Sequence, residues 1–175
     1  TGWAGNASED DQPSIETGQW VHALNLPRML SLKAGRLIQR PAASLPYDAG
    51  DPTVAGECLK AGSYKVDNLN GPWGVRIGSD ASHVDITLDE QVLRVDRSTS
   101  RYTQHGSMRA VTLPEGCEPV LEIIHDRSLT EVFVGDGALV LTLRSFVDIN
   151  SSGTRLMVEG SLALTTGSTR TFMPS

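Results

Sequence analysis

Apolar residues in this chain recur at every second position, and that spacing rules out most folds before any motif is considered. In SHVDITLDEQVLRVDRS, residues 82–98, Val84, Ile86 and Leu88 share one face while Asp85, Thr87 and Asp89 share the other. Side chains alternate across a strand, so this is the signature of a sheet with one dry face. Asp89-Glu90-Gln91 breaks the pattern and Val92-Leu93-Arg94-Val95 resumes it, which predicts a strand, a turn and a second strand.

The same reading extends to LEIIHDRSLTEVFVGDGALVLTLRSF, residues 121–146. Residues 121–124 and 130–134 are strand-like, and Gly135-Asp136-Gly137 is a turn, because glycine reaches positive φ without a Cβ clash. Leu139, Leu141 and Leu143 then alternate with Val140, Thr142 and Arg144. In RLMVEGSLALT, Leu156, Val158, Leu162 and Leu164 line one face, with Gly160 marking a bulge or a close backbone approach. A helix would need apolar residues three and four apart with caps, and no window longer than a turn or two offers them. The expected fold is all-β: a two-sheet antiparallel β-sandwich, jelly-roll-like.

Two stretches differ. Residues 40–56 concentrate Pro, Ala, Gly and Asp and read as a long connection. Residues 1–25 place Trp3 and Trp20 around a polar loop, more apolar surface than a loop buries by itself, so this piece is expected to pack on something larger.

With 175 residues the chain can bury a core without disulfides or metal. Its net charge of −6, without a basic block, argues against nucleic acid as a partner. No apolar run approaches the roughly 20 residues of a membrane-spanning helix. The N-terminus lacks both the basic start and the apolar stretch of a signal peptide, and it lacks a starting Met, as a piece of a longer chain would. Cys58 and Cys117 are not spaced as metal ligands; they read as two buried thiols, with pairing the alternative. His22, His83, His105 and His125 are scattered, with no carboxylate or second His at ligand spacing, so no metal is expected.

Asp-Arg-Ser occurs twice, as Asp96-Arg97-Ser98 and Asp126-Arg127-Ser128. Acid, base and hydroxyl side by side suggest hydrolytic chemistry. Neighbours on a strand point to opposite faces, however, so His125, Asp126 and Ser128 are not expected to meet as a triad. The alternative is architectural: Asp accepts backbone N–H groups in a tight turn, and Arg lays its stem along the sheet with its head on a carboxylate, Glu131 being a candidate partner. Asp96, Arg97, Asp126 and Arg127 are therefore read as turn and strand-end residues. Aromatics make up only 5% of the chain. Trp73, set between Pro72 and Gly74, is the candidate sugar contact, with a place in the core as its alternative.

Three motifs occur in order: LPRMLSLKAGRLIQRP at residues 26–41, LRVDRS followed by Arg109, and the segment 121–146. Together they resemble the interdomain segment and C-terminal β-sandwich of glycoside hydrolase family 32, the β-fructofuranosidases. Gly2-Trp3 and the DDQP run resemble the end of that family's catalytic propeller. Met29 stands where the family carries Glu, and His125 where Val is common.

The resemblance implies a propeller remnant at 1–25, an interdomain linker at 26–44 and the sandwich at 45–175. It implies a parent enzyme that hydrolyses sucrose, sucrose 6-phosphate or short fructans with retention, through a carboxylate nucleophile and a carboxylic acid/base on a five-bladed propeller. It implies no metal or cofactor and a cytoplasmic setting, with secretion the alternative. The propeller's Asn-Asp-Pro-Asn and Arg-Asp-Pro runs are absent here. Glu57-Cys58 spells its acid/base dipeptide but lies downstream of the linker, out of context. The expected partners are the parent's own propeller, further subunits of a homo-oligomer and a fructoside ligand. On this reading the chain by itself carries no catalytic residue; the alternative function is a fructan-binding module.

Overall fold

The alternation around Val84 folds as read. In the computed structural model, which describes residues 2–5, 12–18, 21–42, 61–67, 73–79, 81–117, 120–126, 128–147, 155–159 and 166–168, residues 83–89 and 92–96 form an antiparallel hairpin. Glu90 and Gln91 turn the corner with φ of 46° and 67°. Positive φ at both central residues matches the twist of the strands on either side.

In chain order the elements are β1 (Trp3–Ala4), α1 (Pro13–Gly18), β2 (Ala23–Leu24), β3 (Arg28–Lys33), β4 (Arg36–Pro41), β5 (Ala61–Asp67), β6 (Trp73–Gly78) and β7 (His83–Asp89). They continue with β8 (Val92–Asp96), β9 (Met108–Thr112), β10 (Val120–Asp126), β11 (Leu129–Val134), β12 (Leu139–Arg144), β13 (Arg155–Glu159) and β14 (Thr166–Ser168). One antiparallel sheet runs β12-β11-β10-β5-β14 and the other β13-β6-β7-β8-β9. The core lies between them. Ile77, Val84, Ile86 and Leu93 from one sheet meet Leu121, Ile123, Val132 and Val134 from the other, each with no exposed surface. Burying one such side chain stabilises the fold by about 1.5–3 kcal/mol. This is the expected β-sandwich. Leu162, Leu164 and Gly160 lie outside the described residues.

Two local features were not read from the sequence. Pro13–Gly18 is a helix of under two turns; proline at its first position has the helical φ already set. Residues 28–41, read only as a linker, form a regular hairpin with register Arg28↔Pro41 to Lys33↔Arg36, turned at Ala34 and Gly35 with φ of 50° and 76°. The hairpin is tied to the sandwich through its backbone, the Gln39 N–H donating to the Gly137 carbonyl at 2.9 Å. Gly137 has φ of 92°, and a Cβ there would lie 2.1 Å from the Gln39 carbonyl oxygen, so glycine is required for this approach.

The hairpin explains an oddity of β11, whose six residues are all buried. Thr130, Val132 and Val134 face the core. Glu131 and Phe133 point the other way, where Arg28 closes over them.

Candidate functional site

The two Asp-Arg-Ser copies take different shapes. Asp126 ends β10 opposite Leu129 at the start of β11, so the second copy sits at the closed end of a hairpin. Ser128 there is buried, and its carbonyl accepts the Ser145 N–H at 2.7 Å. Arg127 lies outside the described residues. Asp96 ends β8, and its carboxylate accepts the Ser98 N–H at 2.8 Å, a side-chain-closed turn that opens the long loop at 97–107.

Arg97 organises that loop. Its guanidinium is buried and donates to the carbonyls of Tyr102 (2.8 Å), Arg144 (2.8 Å), Gln104 (2.5 Å) and Gly106 (2.9 Å). A planar fork with five donors can satisfy several loop carbonyls that no strand partner reaches.

Glu131, the carboxylate put forward for an Asp-Arg-Ser arginine, is taken by Arg28. The Arg28 Nη2 lies 2.5 Å from Glu131 Oε1, whose residue is 1% exposed, and the Leu26 N–H donates to Oε2 at 2.8 Å. Arg28 Nη1 also donates to Gln39 Oε1 at 3.0 Å, and its guanidinium sits 5.4 Å over the Phe133 ring. A second arginine reaches the same N-terminal piece: buried Arg144 donates to the carbonyls of Ala4 (3.2 Å) and Val21 (3.0 Å). Sequence reasoning missed both contacts. The only signal was that Arg28 stood inside a recognisable motif; its partner is 103 residues away.

His125 lies on the core-facing side of β10. Its Nδ1 is 2.9 Å from Thr130 Oγ1, which is 2.6 Å from Ser145 Oγ, while its Nε2 is buried without a hydrogen-bond partner. Burial lowers its pKa to about 4, so the ring is neutral at pH 7. Neither Asp126 nor Ser128 supplies its side-chain contact.

Between β1, the loop at 97–107 and β12 lies a groove of about 660 Å³. Trp3, 52% exposed and edge-on to His22 at 4.5 Å between centroids, stands at one side; Gln104, His105, Ser107 and Thr142 supply polar groups. No carboxylate is among the described residues lining it. The groove offers a ring face and hydrogen bonds, not the paired acids of glycoside hydrolysis. Trp73 opens β6, and its side chain lies outside the described residues, as do Trp20, Glu57 and Cys58. Cys117 is partly buried against the core. Among the described residues no group of three or more His, Cys, Asp or Glu could hold a metal. No helix among them is long and apolar enough to cross a membrane.

The sequence profile described as "Glycosyl hydrolases family 32 C terminal" matches residues 49–171. The chain belongs to this family. Within family 32 it is 32% identical over 167 residues to a probable sucrose-6-phosphate hydrolase of Vibrio cholerae, a match covering 89% of this chain and 30% of that one. A probable sucrose-6-phosphate hydrolase of Psychromonas ingrahamii is 31% identical over 172 residues, covering 93% and 31%. The chain thus spans about a third of the length of these relatives. Its fold matches the sucrose-6-phosphate hydrolase of Lactobacillus gasseri with a TM-score of 0.73 at 20% identity, over 96% of this chain and 38% of that one. A β-fructofuranosidase of Bombyx mori aligns with a TM-score of 0.66 at 23% identity, over 95% and 35%.

Proposed function

We propose that this family 32 C-terminal domain is the non-catalytic β-sandwich of a β-fructosidase acting on sucrose, sucrose 6-phosphate or short fructans, and that it supports the catalytic propeller preceding it. Residues 1–25 are then the last propeller segment, residues 26–44 the joint and residues 45–175 the sandwich. The observation that carries this reading is the part-buried Arg28–Glu131 pair, an ionic clasp between the joint and the outer face of the sandwich. The substrate class rests on the relatives, named for sucrose 6-phosphate.

The test has two arms. The purified 175-residue chain is incubated with sucrose and sucrose 6-phosphate, and fructose is assayed; none is expected. Release of fructose that Glu57→Gln abolishes would overturn the non-catalytic reading. In the full-length gene product, deleting residues 26–175 is expected to lower the melting temperature of the remainder and reduce its fructose release.

A second reading, fructan binding, is favoured by the exposed Trp3 beside the polar wall of the groove. Calorimetric titration of levan and inulin oligomers into the chain decides it. Heat lost on Trp3→Ala supports it, and no heat in the wild type rejects it.

A further inference from the structure

The groove between β1, the loop at 97–107 and β12 is walled by cations. Arg97, Arg109 and Arg144 all line it, and among the described residues no aspartate or glutamate does. In a chain of net charge −6 this is a local inversion of sign. Charge of one sign on the walls of a cleft focuses the field into it, because the protein beneath screens poorly. Glu131 touches the groove wall through Thr142, whose Oγ1 donates to it at 3.3 Å, and it is paired with Arg28.

The three arginines play different parts. Arg97 and Arg144 are buried and fixed by the carbonyls they bind, so they contribute field. Arg109 is exposed. Its Nη1 donates to the Met108 carbonyl at 2.9 Å and its Nη2 to the His105 carbonyl at 2.5 Å. Those two bonds hold the head still and leave further N–H groups of the guanidinium for a ligand. Gly106 makes room for it: φ there is 95°, and a Cβ would lie 2.5 Å from Arg109 Nη1. A guanidinium already set in place loses little freedom when it takes an anion.

The rest of the wall is neutral. Trp3 offers an indole that is 52% exposed, and Asn25, Gln104, Ser107 and Thr142 offer amide and hydroxyl groups. Neutral polar groups beside an aromatic suit a sugar ring, and a phosphate oxyanion suits the guanidinium. The volume of about 660 Å³ lies in the range of small-molecule sites.

We propose that this groove binds a sugar phosphomonoester, its phosphate on Arg109 within the field of Arg97 and Arg144 and its sugar against Trp3. A neutral fructan would use Trp3 and gain nothing from the arginines, so the charge of the ligand separates this site from fructan binding. The site goes beyond the supporting role of the sandwich and stands or falls without it.

Amide hydrogen exchange in the full-length gene product tests it, read on peptides spanning residues 97–109 so that binding elsewhere is not counted. Glucose 6-phosphate, glucose and inorganic phosphate are the probes. Glucose 6-phosphate should slow exchange there at least about threefold, and saturably. Glucose should leave it unchanged, and inorganic phosphate should act only at higher concentration. Arg109→Gln should raise the half-saturating concentration of glucose 6-phosphate about tenfold, and Arg109→Lys should raise it less. Added salt should weaken binding in the wild type, a readout that needs no variant. Absence of protection overturns the inference, as does protection that salt leaves untouched. Glucose acting as well as its phosphate would assign the groove to neutral sugars and reject the anion site. Inorganic phosphate acting as well as the sugar phosphate would mean an adventitious ion only. An Arg109→Gln protein that melts and binds like the wild type also rejects the site.

Discussion

The seam between hairpin and sandwich and the corner at residues 97–107 each hold an arginine, and the groups that meet it differ in kind. At the seam Arg28 meets a carboxylate, Glu131. At the corner Arg97 meets four carbonyls. Deeper still, between the sheets, His125 carries no charge at all. The difference follows from where the partner comes from. A corner is built from one continuous loop, whose carbonyls are already at hand. A seam joins segments distant in sequence, and a full charge on each side rewards one docking geometry over its neighbours. Inside the core burial itself disfavours the charged ring, so the group stays neutral.

The contrast is most exposed by Arg28→Met, which leaves Glu131 buried without its cation. We expect a loss of about 3–5 kcal/mol in urea unfolding. Combining it with Glu131→Gln should recover about half, since the stranded charge is then gone. Equal losses in the single and double variants would show that packing, not charge, holds the seam.

His125 should produce the next largest effect, as a pH dependence. Burial favours the neutral ring in the folded protein, so the unfolded chain takes up the proton first. Its contribution is fully present above the ordinary pKa of 6.5 and is lost as pH falls towards about 4. Between about pH 7.5 and about pH 4.5 that loss amounts to about 2–3 kcal/mol, and His125→Gln should flatten it. An unchanged slope in the variant would assign the pH dependence to other groups.

At the corner, Arg97→Lys keeps the charge but offers donors from a single point that cannot span four carbonyls. A loss of about 2 kcal/mol is expected, with faster amide exchange in residues 98–107. If lysine substitutes silently, charge and not the fork is what the corner needs. Asp96→Ala removes the carboxylate that closes the turn on Ser98 and should cost about 0.5–1 kcal/mol in thermal melts.

How far these features were legible in the sequence depended on their range. The alternation at Val84, Ile86 and Leu88 and the Gly135-Asp136-Gly137 turn are set by neighbours a few residues apart, and the period of two exposed them. The Ala34-Gly35 hairpin is legible in the same way, since Leu30 and Leu32 alternate with Ser31 and Lys33. Glu131 reads as a paired carboxylate, but the cation it binds, Arg28, lies far from either Asp-Arg-Ser copy in sequence. A pairing across 103 residues leaves no periodicity to read. The four carbonyls around Arg97 were hidden for another reason: every residue has a carbonyl, so composition cannot say which of them a loop will turn inward.

The grip of Arg144 on Ala4 and Val21 bears on how such a sandwich could be exchanged between enzymes. A recombination that joined a new partner at residue 26 would cut between the arginine and both carbonyls it holds. The unit that can be moved with its hydrogen bonds intact is longer than the sandwich, and it begins inside the segment that the neighbouring domain would claim.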